Sequence, residues 1–126
     1  MNYRPVPEDV LFLQQQVLQL GGSLRALPAF AEVDDELPAQ LLGEAGRFVG
    51  EVIAPLNREG DETGARWHDG EVTMPPGFRA AYQAFVDAGW PALSAAPEDG
   101  GQGLPAAFDA VLYEWLSAAN HGFTMA

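Results

Sequence analysis

The chain has 126 residues, with 6 basic against 18 acidic side chains and a formal charge of −12, and 48% of it is hydrophobic and 19% charged. That is the profile of a single folded globular domain, since a chain of this length buries about two-thirds of its unfolded surface in one core. With no lysine and a large negative balance, phosphates find little to attract them, so nucleic acid and anionic membranes are poor partners.

At the N-terminus, Met1-Asn2-Tyr3-Arg4-Pro5 has neither the basic flank nor the apolar stretch of a signal peptide. No apolar run approaches the ~20 residues that span a bilayer. The chain contains no cysteine, which excludes disulfides, thiolate metal sites and a cysteine nucleophile. A soluble, cytoplasmic domain is expected.

The spacing predicts a first helix over residues 8–20. Pro7 suits the first turn, Glu8 and Asp9 favour the positive end of the helix dipole, and Gly21-Gly22 is a stop. Val10, Leu13, Val17 and Leu20 form its inward stripe, with Leu11 and Leu18 beside them. Gln14, Gln15 and Gln16 form its wet side. A connector over residues 23–33 carries Pro28.

A second helix follows Asp34-Asp35-Glu36, with apolar positions from Leu37 through Leu42, Phe48, Val49, Val52 and Ile53 to Leu56. Pro55 predicts a kink or a looser final turn. Gly43, Gly46 and Gly50 each weaken this helix by about 1 kcal/mol relative to alanine. Gly46 and Gly50 lie one turn apart, which fits either the close approach of another segment or plain sequence drift. From Gly60 to Pro76 helical periodicity is lost, and Asp69-Gly70 within Trp67–Thr73 signals a tight hairpin turn.

The third helix is expected from Pro76 to Gly89, with Phe78, Ala81, Tyr82, Phe85 and Val86 on one face. The fourth begins at Pro105 and carries Phe108, Val111, Leu112, Trp115, Leu116 and Ala119, with a stop over Asn120 to Gly122. The predicted fold is all-α: an antiparallel bundle of four main helices with a short hairpin-like excursion near residues 67–73. Phe48, Val52, Tyr82, Phe85, Leu112 and Trp115 are expected to share its core.

No motif carries a reaction unaided. Gly100-Gly101-Gln102-Gly103 lacks the lysine and spacing of a Walker loop and the glycine order of a dinucleotide fold. With Glu98-Asp99 beside it, it reads as a tight connection between helices. His68 and His121 have no ligand spacing, so no metal site is assigned. Ser23, Ser94 and Ser117 have no nucleophile-elbow context. The acidic clusters read as solvated helix ends and loops, and Trp90, Trp115 and the Phe and Tyr residues as core.

The order of segments, however, is informative. Glu44-Ala45, Arg47-Phe48 and Glu51-Val52-Ile53-Ala54-Pro55-Leu56-Asn57 precede Gly60-Asp61 and the Asp69-Gly70 turn. Then come Pro76-Gly77-Phe78, Gly89-Trp90, Pro97-Glu98, Gly100-Gly101-Gln102-Gly103-Leu104-Pro105, and Tyr113-Glu114 through Ala119-Asn120 to Phe123 and Met125. Six such blocks in order resemble the N-terminal helical domain of the acyl-CoA dehydrogenase family. The first thirty or so residues are similar to an extra segment in its 3-methylthiopropanoyl-CoA dehydrogenase-like branch of larger subunits.

The resemblance implies residues 1–33 as an extension helix and connector and residues 34–126 as the domain itself, in one compact unit. It implies an FAD-dependent α,β-dehydrogenation of an acyl-CoA thioester in the complete enzyme, with the flavin chiefly between a middle β-domain and a C-terminal bundle. None of Glu44, Glu51, Glu98 or Glu114 matches the family's catalytic glutamate, so no catalytic or cofactor-binding residue is assigned. Phe123, Thr124 and Met125 match the segment lining the acyl end of the pocket; in the chain alone the favoured reading of them is a frayed terminus. The expectation is therefore a fragment or a truncated reading frame, without bound FAD or turnover of its own. Its expected partners are the remaining domains of the flavoenzyme or a second copy in a homodimer, with acyl-CoA bound only in the complete enzyme. A free-standing helical interaction module is the alternative, and a complete small enzyme a further one.

Overall fold

In the computed structural model, which describes residues 2–126, 65% of the chain is helical and one two-stranded sheet completes the regular structure among the described residues. Helix α1 (Pro7–Leu11) continues into a π-helical stretch, Phe12–Val17, and α2 spans Leu20–Arg25. Helix α3 (Leu37–Phe48) runs on through a π turn (Val49–Ile53) and a 3-10 turn (Ala54–Leu56) into α4 (Asn57–Thr63). Strands β1 (Arg66–His68) and β2 (Glu71–Thr73) form the hairpin. Helices α5 (Phe78–Asp87), α6 (Ala106–Ala119) and the short α7 (His121–Thr124) complete the chain.

The core is built where the sequence pattern is strongest. All six predicted positions of α6, from Phe108 to Ala119, are buried, and they meet Leu42, Ala45, Val49 and Ile53 of the α3 run and Phe85 of α5. Phe48 lies against this core with its ring 6.1 Å from Phe85 and 6.0 Å from Trp90. Val52 is half-buried on the same core.

Tyr82 is the exception: it is 59% exposed, with Val86 and Tyr113 also outside. Helix α5 buries only Phe78, Ala81 and Phe85, a stripe narrower than its apolar content. Its flank faces solvent, with no further element over it among the described residues.

The first predicted helix is the main departure. Only part of its reading holds: Val10, Leu11 and Leu20 are half-buried and Gln15 and Gln16 are exposed as expected, but Gln14 is buried while Leu13, Val17 and Leu18 are exposed. The pitch is the reason. The Leu18 N–H donates to the Leu13 carbonyl at 2.8 Å, an i→i+5 bond that turns each residue less than an α-helix does. The stripe read at 3.6 residues per turn therefore drifts off its face. The helix also stops earlier than the glycines, at Gln19 with φ 48°, and Gly21 and Gly22 lie inside α2. The region read as four main helices is thus more finely divided at the N-terminus.

Pro5 and Pro7 lie over the glycines of α3 and the turn that follows it. A Cβ on Gly46 would stand 3.2 Å from Pro7 Cγ and 3.5 Å from Pro5 Cβ, and one on Gly50 would stand 3.8 Å from Pro5 Cδ. The paired glycines thus make room for the N-terminal segment.

Pro55 likewise does less than a helix breaker. The chain widens into the π turn before it and tightens into the 3-10 turn around it, then resumes as α4. Helical structure consequently extends past Gly60 to Thr63, beyond the expected limit. A Cβ on Gly60 would lie 2.6 Å from the Phe78 ring, so α4 packs on the start of α5 at that glycine.

The hairpin pairs Arg66 with Thr73, Trp67 with Val72 and His68 with Glu71. Asp69 (φ 52°) and Gly70 (φ 85°) both take the left-handed conformation that a two-residue hairpin turn requires. From Trp90 to Leu104 the chain folds back on itself. The N–H groups of Gln102, Gly103 and Leu104 donate to the carbonyls of Ala92, Ala95 and Leu93 at 2.8–2.9 Å.

Candidate functional site

The segment Phe123-Thr124-Met125 is placed by Asn120. That residue leaves α6 in an extended conformation (φ −161°), and its side-chain oxygen accepts from the Phe123 N–H at 3.0 Å, capping α7. The Thr124 hydroxyl donates to the Asn120 carbonyl at 3.1 Å. The Asn120 amide also donates toward the Ile53 carbonyl at 3.5 Å, tying α7 to the pitch change in the α3–α4 run. A capping asparagine before a glycine-containing turn is a legible helix-start signal, although here it also looks like the end of α6.

Two surface grooves flank α7. One, of about 650 Å³, runs between α4 and α7 past Asn57, Asp61, Met74, Phe78, His121 and Met125. The other, of about 730 Å³, runs between β2, α5 and the C-terminus past Val72, Met74, Arg79, Tyr82 and Phe123. Met74, Pro75 and Phe78 border both. Phe123 packs edge-on to Phe78 at 5.6 Å and is half-buried, whereas Met125 is 74% exposed. The three residues do not converge on one enclosed pocket: Phe123 faces the second groove, Met125 the first, and Thr124 borders neither.

A third cleft, of about 660 Å³, lies at the other end of α6, between α1–α2 and the start of α3. Phe108 and Gln14 border it, and Arg25 pairs with Asp35 there at 2.6 Å.

Titratable side chains do not gather into a reactive set. Glu44, Glu51, Glu98 and Glu114 are all exposed and lie on different elements. His68 and His121 are exposed in β1 and at the start of α7, and no metal-binding group of three or more His, Asp or Glu forms among the described residues. Ser94 donates to Asp109 on the surface without a histidine beside it. The glycine loop cannot cradle a phosphate as it stands. The N–H groups of Gly100, Gly101, Gln102, Gly103 and Leu104 all donate within residues 92–104, to the carbonyls of Pro97, Ala96, Ala92, Ala95 and Leu93.

These features define a mostly helical unit with two grooves flanking its last helix, and no family model matches it. The chain is similar to an acyl-CoA dehydrogenase: it is 38% identical over 123 residues to 3-methylmercaptopropionyl-CoA dehydrogenase of Ruegeria pomeroyi (strain ATCC 700808 / DSM 15171 / DSS-3), a match covering 98% of this chain. It spans about a fifth of that relative's length, 21%. No helix is long and apolar enough to cross a membrane among the described residues.

Proposed function

We propose that the chain is the N-terminal helical domain of an FAD-dependent acyl-CoA dehydrogenase, with residues 1–33 as its extension and residues 34–126 as the domain itself. The observation that carries this reading is identity along 98% of the chain to a relative of which it covers 21%. On this reading α3–α4, α5 and α6 are the family's antiparallel helical bundle. Its role is to cover the acyl end of the substrate pocket, with Phe123, Thr124 and Met125 on that side. The apolar border of the second groove, Val72, Met74, Tyr82 and Phe123, supports an acyl chain there rather than a charged nucleotide.

FAD does not fit this chain alone. A flavin pyrophosphate needs converging N–H or basic donors, and the glycine-loop amides are all engaged internally. The flavin and the base that removes the α-proton of the thioester are therefore assigned outside these residues, and no chemical step is assigned to this chain. Its partners are the rest of that flavoenzyme, or a second copy; acyl-CoA binds the complete enzyme, in the cytoplasm.

The test has two arms. The purified chain mixed with FAD should show no bound-flavin absorbance shift and no bleaching by acyl-CoA. Exchanged for the matching stretch of the Ruegeria relative, it should give a folded protein whose flavin is bleached by that relative's acyl-CoA. In that hybrid, Phe123→Ala should raise KM more than it lowers kcat. Tight flavin binding with bleaching by the chain alone, or a folded hybrid without bleaching, would overturn the proposal.

A further inference from the structure

Two polar side chains are buried among the described residues: Gln14, 8% exposed, and Asn120, 2% exposed. Asn120 commits its amide to Phe123 and Ile53. The Gln14 amide makes no hydrogen bond among the described residues, and it borders the cleft of about 660 Å³ between α1–α2 and the start of α3. It thus differs from the Trp90 indole N–H, which is sealed without a partner and borders none of the clefts. A buried amide normally finds a partner. Ordered water needs several polar groups around it, whereas the side chains beside Gln14 in this cleft are Leu20, Leu24, Val33, Pro38 and Phe108.

We propose that the cleft binds a small neutral molecule carrying a carboxamide or lactam beside an apolar body. The donor and acceptor of a glutamine side chain lie side by side. A carboxamide or lactam presents the same pair in reverse, so two hydrogen bonds close between them. A trans peptide group points its N–H and C=O in opposite directions and closes only one, which disfavours a polypeptide backbone as the occupant. The apolar side chains receive the rest of the ligand, the usual make-up of a small-molecule site. Ions are disfavoured. At the mouth Arg25 and Asp35 pair at 2.6 Å, and Asp34 accepts from the N–H groups of Glu36 and Leu37 at 3.0 and 2.7 Å. Every charged side chain lining the cleft is therefore engaged, and a charged ligand would lose its hydration without gaining a partner.

Both walls of the cleft belong to this chain, one from residues 14–25 and the other from residues 33–38 with Phe108. A ligand here joins the N-terminal segment to the body of the fold. The α7 grooves lie past the other end of α6, ~20 Å away at the helical rise, so this site goes beyond the proposed acyl role and does not rest on it.

Saturation-transfer NMR and thermal melts of the chain with hexanamide, hexanoate and hexylammonium test this. Hexanamide should bind in the millimolar range, shift the Gln14 side-chain amide resonances and raise the melting midpoint. The two ions, of the same length, should bind about tenfold more weakly or worse. Gln14→Met keeps the length and removes the amide; it should abolish that preference without lowering the circular dichroism melt. In the hybrid with the Ruegeria relative the same order should appear, because both walls travel with this chain. No hexanamide binding in the millimolar range, equal binding of all three probes, or an undiminished preference in Gln14→Met would overturn the proposal. Loss of binding in a folded hybrid would also overturn it, by giving the cleft to the rest of that enzyme. The flavin and bleaching assays do not involve the cleft, so the two readings fail separately.

Discussion

Asn120 shows how much one side chain fixes at the C-terminal end. It is 2% exposed, caps α7 through Phe123 and reaches the carbonyl of Ile53. Asn120→Ala removes the cap and the amide link together, and should cost about 1–2 kcal/mol in urea denaturation. Tyr3 acts at the other end. Burial pushes its phenol above the ordinary 10.0, and the Glu114 carboxylate adds to the rise. The folded chain thus holds that proton more tightly than the unfolded one. The resulting stability is fully present below the unfolded value near 10 and is lost as pH rises through the folded value. The urea midpoint should fall as pH rises past about 10, and fall less in Tyr3→Phe, which lacks this phenol.

Among the elements, the glycines of α3 and the fold-back loop look alike in sequence and differ in space. A Cβ on Gly43 meets nothing within 4 Å, whereas one on Gly101 would collide with the Ala95 carbonyl oxygen. Gly43→Ala should therefore stabilise the chain by about 0.5–1 kcal/mol, through helix propensity. Gly101→Ala should destabilise it by about 1–3 kcal/mol, because the fold-back must open. Thermal melts of the two variants read opposite signs. The loop's role as a tight connection was legible because glutamate and aspartate beside it argued against a phosphate. The approach that makes room for Pro5 and Pro7 at Gly46 was not, since nothing along the sequence says which segment lies over a glycine.

For the molecule as a whole, α3, α5 and α6 share one core. Phe85 is buried in it and packs against Phe48, so Phe85→Ala should lower stability by ~3–5 kcal/mol. Tyr82, three residues earlier on the same helix, should tolerate alanine within about 0.5 kcal/mol. Equal losses at the two positions in chemical denaturation would contradict this division of α5.

The sequence by itself determined the helical class, the six buried positions of α6, the Asp69-Gly70 hairpin and the likeness to acyl-CoA dehydrogenases. Each of these rests on local order: a periodicity, a turn that needs two left-handed residues, or blocks in register with a known family. The tertiary structure alone decided which side of α1 faces inward, how the chain passes Pro55, and where Phe123, Thr124 and Met125 lie. Those outcomes depend on what packs against each segment. An amphipathic stripe predicts burial only at the pitch the helix actually adopts, and the π turn of Phe12–Val17 changes that pitch. A match to a pocket-lining segment names residues, but the directions of their side chains come from Asn120 and Phe78, which reach them through space.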